Sequence, residues 1–308
     1  MATATKRRPK AHATDDKAPR LSTVEATAKL IVDAIDSGDT VPWAKGWVID
    51  GIWPTNPVTG TIYKGINPMI LGIMQAARGY QSPYWVTFKQ MVAKGAKFNQ
   101  DAKGTGVPVV YWNKIVKPDP DNPDKMKAFG FWKGYTVFNL DLIDGIELPA
   151  VEEREPVALD GALLTLQQGY DGGPTIRHIP SAQAYYTPTL HQITLPTLEQ
   201  FLSPLDYGNT LSHELCHSTG HESLLDRKLV GWNCQQDYAK EELVAEIGSV
   251  MVLQMLGLEV NLPKSAEYVR GWRKAIHDDP NIIISASSKA FHAASMVTGF
   301  NTDTKESE

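Results

Sequence analysis

The sequence predicts an α+β chain of two domains, the second built around a helix that carries metal-binding residues. Three observations lead there. In the first half, helix-like patterns come first and strand-like patterns follow, an order typical of α+β units. The two halves differ in charge: residues 1–150 carry 19 Lys+Arg against 14 Asp+Glu, or +5, and residues 151–308 carry 11 against 21, or −10. The third is the stretch Leu211–His221, which holds His-Glu-x-x-His at 213–217. A length of 308 residues also suits two domains better than one.

Residues 1–20 are polar, with Lys6, Arg7, Arg8 and Lys10, and are expected to be a disordered tail. Residues 21–146 form the first domain. Ser22 and Glu25 make a capping box for a helix that Gly38 ends. Asn67 and Pro68 read as cap and first residue of a second helix closed by Gly79. Thr87 caps a third, stopped by Gly95. Strands follow: Val109–Trp112 is a buried strand, Pro118 to Lys125 a polar loop, and Gly134 to Asn139 the returning strand.

Six of the eight tryptophans fall in this mildly basic half. Aromatic rings beside cations are what a single-stranded nucleic acid needs. Bases stack on the rings for about 1–3 kcal/mol each, and phosphates meet the charges. Trp43, Lys45, Trp47, Tyr63, Lys64, Trp85 and Lys89 interleave the two types and are the candidate DNA contacts. The competing reading is core packing, since Trp and Tyr are also common core residues.

Residues 147–158 are rich in Pro and Glu and read as a linker. The second domain runs over 159–300, and 301–308 is a polar, mobile tail. Ala184–Pro188 and His191–Pro196 suggest a short strand pair. In metallopeptidases an edge strand beside the metal helix aligns an extended peptide through its backbone, and Gln192–Leu195 is the candidate. Ser265 to Ile276 and Ile282 to Val297 read as covering helices.

The helix around Tyr207–Cys216 turns His213 and His217 to one side, because residues four apart share a helical face. Two imidazoles then hold one metal ion, and Glu214 reaches a water bound to it as a base. A third protein ligand is required. His221 stands two residues early for the class in which the motif extends to a third His. Glu242 lies on a later amphipathic helix with Glu246 four residues on. Glu242 is therefore the assigned third ligand, with Glu241 its nearest rival. Glu246 is expected to orient a ligand imidazole, and His221 to support the site from outside the ligand set. The ion is expected to be Zn2+, with Mn2+ or another divalent metal as a substitute, since N/O sites do not select by affinity alone.

No apolar run approaches a membrane span, so no membrane role is expected. The basic N-terminus lacks a following apolar stretch, which argues against a secretory signal. Two cysteines, Cys216 and Cys234, make no disulfide framework and suit a reducing cytoplasm.

The chain resembles the ArdC-type antirestriction proteins of conjugative plasmids. In the first half the likeness rests on Pro42-Trp43, Trp47, Tyr63-x-Gly65-x-Asn67, Ser82-Pro83-x-Trp85-x-Thr87-x-x-Gln90 and Val137-Phe138-Asn139. These resemble that family's single-stranded-DNA-binding domain, which also occurs at the N-terminus of some plasmid primases. In the second half it rests on Tyr186-x-Pro188, Ile193-x-Leu195-Pro196, His213 to His221 and Glu241 to Glu246, which resemble its zincin-like metallopeptidase domain. Members often carry Arg a few residues after Thr-Gly-His; here Leu224 departs from that pattern and Arg227 keeps it. The resemblance implies a protein that meets incoming single-stranded DNA, shields it from host restriction and passes with it into the recipient cell. A peptidase acting on a host restriction enzyme is one implied mechanism. A DNA-binding protector with an inactive, structural zinc site is the other.

Overall fold

The computed structural model describes residues 22–37, 47–48, 52–119, 122–148, 158–229, 235–258, 260, 276, 278–279 and 281–300. Both tails, Trp43, Lys45, most of the Pro/Glu linker and nearly all of the helix expected over 265–276 lie outside the described residues.

The first half opens with α1 (Thr23–Ser37). Its capping box forms as expected: the Ser22 backbone donates to Glu25 Oε2 at 2.7 Å, and the Glu25 backbone donates to Ser22 Oγ at 3.2 Å. α2 (Asn67–Arg78) ends at Gly79, whose φ of 70° lies in the left-handed region a glycine enters without a Cβ clash. Its cap differs from expectation. Ile66 is the N-cap and makes no side-chain cap bond. Asn67 is instead inside the helix, where its amide spans strand backbone: Nδ2 donates to Val110 O and Oδ1 accepts from Val110 N, both at 2.9 Å.

β1 (Trp85–Thr87) leads through Thr87, which closes a capping box with Gln90, into α3 (Phe88–Ala93). β2 (Lys97–Phe98) pairs with β5 (Ile143–Asp144). Between them lies a long hairpin, β3 (Val107–Asp119) and β4 (Asn122–Asn139). The order in this sheet is β1–β4–β3, all antiparallel. Most of the segment expected to be a loop, Pro118 to Lys125, is therefore strand. The hairpin's base is buried under α1 and α2, and its outer part is exposed.

In the second half, α4 (Leu159–Gln168) precedes a mixed sheet of β6 (Thr175–His178), β7 (Tyr185–Thr187) and β8 (Gln192–Leu195). The order is β6–β8–β7, with β6 parallel and β7 antiparallel to β8. The expected edge strand Gln192–Leu195 is thus the central one, saturated on both sides, and β7 is an outer strand. Three further helices are described in full in this half: α5 (Pro204–Ser218), α6 (Gln235–Met255) and α7 (Asn281–Thr298). Ser203 caps α5 by accepting from the Asp206 backbone at 3.1 Å.

α5 and α6 approach closely at a glycine. A Cβ on Gly248 would stand 2.7 Å from Cys216 Sγ, inside any normal contact, so only glycine fits without a shift. That approach sets the distance between the acidic start of α6 and the histidines of α5. The two halves also share one core. Trp53 packs on Phe291 and Phe300, with ring centres 6.3 and 5.9 Å away, and α1 lies against α7.

Candidate metal centre

α5 presents His213 and His217 on one side with their Nε2 atoms 3.1 Å apart. α6 brings Glu242 up to both: Oε1 is 3.4 Å from His217 Nε2, and Oε2 is 3.7 Å from His213 Nε2. One donor atom from each of the three residues lies within 4.8 Å of the others, a cluster suited to one ion. Two imidazole nitrogens and one carboxylate oxygen match the donor set of a zinc or manganese site with a position left for water. Glu242, held by hydrogen bonds and charge from both histidines against the opposing effect of burial, stays well below the usual carboxylate range.

His217 is served from both ring nitrogens by consecutive residues of α6. Its Nε2 faces Glu242, and its Nδ1 lies 3.4 Å from Glu241 Oε1. Burial disfavours the imidazolium, yet hydrogen bonds with these two carboxylates and the charges of Glu242 and Glu214 outweigh it and raise His217 from 6.5 to about 9. Glu241 thus faces the ring nitrogen of His217 that points away from Glu242. Glu246 lies further along α6, half-buried, and couples to His213 through charge; desolvation, aided by the Glu242 charge, raises its carboxyl.

Glu241 is itself fixed by Arg227, a residue outside the expected site. Arg227 Nε donates to Glu241 Oε2 at 3.0 Å and Nη2 to Oε1 at 2.7 Å. Its other donors reach Thr219 Oγ1 and the Cys216 carbonyl, both at 2.7 Å, so the guanidinium also staples the end of α5. The loop that delivers it folds back by backbone bonds from Leu225 N to Thr219 O and from Arg227 N to Gly220 O. Gly220 makes room: a Cβ there would stand 2.9 Å from Arg227 Nη2 and 2.8 Å from Leu229 Cδ2. A retained Arg after Thr-Gly-His was the signal in the sequence, but its partner lies 14 residues away and only the folded loop joins them.

Glu214 is only 7% exposed. Burial raises its carboxyl above the ordinary value, against the neighbouring histidines and a backbone hydrogen bond from Tyr186 in β7. β7 therefore passes beside the base. His221 does not reach the ligands. Its Nδ1 pairs with Ser223 Oγ at 2.8 Å and its ring lies on His191, with centres 4.2 Å apart.

The described residues among the expected DNA contacts separate into buried rings and exposed lysines. Trp47, Tyr63 and Trp85 are 2%, 1% and 0% exposed, so they are core residues with no ring face open to a base. Trp47 covers Gly72 of α2, where a Cβ would stand 2.5 Å from its ring. Tyr63 donates its hydroxyl to Trp85 O at 3.0 Å, and Trp85 meets the edge of Tyr80. Lys64 and Lys89 are exposed, and Trp43 and Lys45 lie outside the described residues.

A mixed sheet beside a His-Glu-x-x-His helix, with a glutamate delivered by the next helix, defines a zincin-like metallopeptidase domain, joined here to an α+β domain with a long hairpin. Residues 170–289 match the zincin-like metallopeptidase family, and residues 22–138 match the N-terminal domain of anti-restriction factor ArdC. The chain belongs to the ArdC antirestriction family. It is 34% identical to the metal-free crystal structure of ArdC from the R388 plasmid, with a TM-score of 0.69 over 89% of this chain and 95% of that one. The Mn(II)-bound form gives 32% identity and a TM-score of 0.71 over 93% and 100%. A relative from Sinorhizobium fredii, the uncharacterized protein y4eC, is 30% identical over 96% of this chain and 98% of its own. Two Escherichia coli proteins named DNA primase TraC are each 36% identical over 90% and 86% of this chain. The chain spans only 27% and 19% of their lengths. No described helix is long and apolar enough to cross a membrane.

Proposed function

We propose that this protein binds single-stranded DNA through its first half, protects incoming plasmid DNA from host restriction, and cleaves a protein substrate with a zinc-dependent site in its second half. The observation that carries the peptidase reading is the buried Glu214 beside the His213, His217 and Glu242 cluster. A purely structural metal site has no use for a base. A bound divalent ion supplies a polarised water and a Lewis-acid hold on a carbonyl. Glu214 accepts a proton from water in the cleft and passes it to the leaving amine, a transfer suited to a carboxyl raised by burial. β7, the outer strand beside Glu214, offers backbone to an extended peptide. Substrate classes include a host restriction enzyme, and the site of action is the cytoplasm of the cell receiving the DNA.

The test is Glu214→Ala. Because Glu214 is not a ligand, the variant should keep about one zinc per chain and its affinity for an oligonucleotide within about twofold, under roughly 0.4 kcal/mol. Proteolysis, and with it protection from restriction, should be lost. Full protection by Glu214→Ala would leave a DNA-binding protector with a structural metal. His217→Ala should lose most of the metal; full zinc occupancy in that variant would remove the ligand assignment.

A further inference from the structure

Outside the metal centre, the outer hairpin exposes large rings that the packing of the fold does not explain. Its sequence alternates from Lys127 to Tyr135 as Lys-Ala-Phe-Gly-Phe-Trp-Lys-Gly-Tyr. Alternate residues of a strand share a face, so Lys127, Phe129, Phe131, Lys133 and Tyr135 form one stripe along β4. Directly paired residues share that face too. Lys117, which pairs with Lys127, therefore adds a second cation at its outer end. Phe129, Phe131 and Tyr135 are 37%, 39% and 38% exposed, an unusual outlay of large rings to solvent. Each flanking lysine stands beside a ring, with Lys127 Nζ 6.0 Å from the Phe129 centre and Lys133 Nζ 5.0 Å from that of Tyr135. Asp119 holds Lys127 only loosely, at 3.7 Å.

We propose that this stripe on β4 is the surface on which the protein binds single-stranded nucleic acid, with Phe129, Phe131 and Tyr135 stacking bases and Lys117, Lys127 and Lys133 meeting phosphates. The proposal rests on the reading of the first half as a DNA-binding domain and gives that reading a location distinct from the buried rings. Same-face neighbours on a strand are about 6.8 Å apart, so rings and cations follow one another at steps an extended single strand can match. A duplex hides its base faces and meets only the lysines. The five lysines and three aspartates of residues 107–139 leave the arm net positive, in keeping with a polyanionic partner.

The experiment uses the full chain and a dye-labelled oligothymidylate, with affinity read by fluorescence anisotropy at several salt concentrations. Phe129→Ala and Phe131→Ala should each weaken binding by about fivefold or more, the loss of one stacked base. Should a ring variant fold poorly, Lys127→Glu and Lys133→Glu replace exposed side chains and should weaken binding and flatten its salt dependence. Val116→Ser, exposed on the opposite face, should bind as the wild type does. If the wild type binds while the ring and lysine variants stay within twofold of it, the hairpin stripe is overturned and the DNA-binding reading stands. If the wild type shows no binding, both fall. Equal losses in Val116→Ser would also overturn the proposal, because the effect would not belong to one face.

Discussion

Arg227 and Glu241 form a forked ion pair, with guanidinium and carboxylate joined at 2.7 and 3.0 Å, and the Oε1 that accepts from Arg227 Nη2 also lies 3.4 Å from Nδ1 of His217. The arginine side chain is 4% exposed. An ion pair so enclosed adds little net stability as a pair, but losing one partner strands the other. Arg227→Ala should destabilise the protein by about 3–5 kcal/mol in chemical denaturation. Unfolding at the wild-type midpoint would sink this account.

The same pair should also govern the metal. Glu241→Gln keeps the shape but weakens the acceptor for His217 Nδ1. Zinc affinity, read by chelator competition, should fall about 10- to 100-fold while one ion per chain still binds at saturation. Unchanged affinity would mean that Glu242 and helix geometry alone orient the imidazole.

Protons compete with the metal at His217, and the sign follows from the direction of its shift. In the metal-free protein this group is raised from 6.5 to about 9. Its stabilising contribution is therefore fully present below about pH 6.5 and lost as the pH rises through about 9. A bound ion needs the neutral imidazole and excludes that proton. The difference in melting temperature between metal-loaded and metal-stripped protein should widen across this window. A constant or shrinking difference would contradict it.

Gly248→Ala should drive α5 and α6 apart, since the new Cβ would meet Cys216 Sγ at 2.7 Å. We expect a loss of about 1–3 kcal/mol and weaker metal binding, because Glu242 rides on α6. Adding Cys216→Ala removes the nearest atom and should restore part of both. Melting curves and zinc titrations of the wild type, Gly248→Ala and the double variant decide it.

Asn67→Ala should strand both backbone groups of Val110, at about 1–3 kcal/mol for each unsatisfied group. Hydrogen exchange should quicken at the hairpin base first. Protection unchanged around Val110 would show that the amide is not what holds it.

The metal cluster was legible in the sequence because two local rules suffice. A spacing of four aligns His213 with His217, and adjacent glutamates just before an apolar helical run supply the third donor. Glu241 and Glu242 were harder to separate, since neighbouring residues diverge around a helix and only the docking of α6 shows which faces which nitrogen. The hairpin was shortened by Pro118, Pro120 and Pro123, which read as loop although the strands extend to Asp119 and from Asn122. The returning strand was read only from Gly134, and the alternation from Lys127 to Tyr135 that continues it toward the turn was passed over. Trp47, Tyr63 and Trp85 could not be placed by composition, because a ring that fills a core and a ring that stacks a base carry the same chemistry.

The contact of Trp53 with Phe291 and Phe300 bears on how such proteins are inherited. A gene fusion that carried only one half would leave one side of this aromatic seam facing water. A recombined partner would need rings of matching shape before either half regained its core. Selection should therefore transmit the two halves as a single cassette, and horizontal exchange should cut outside the pair far more often than at the Pro/Glu segment between them.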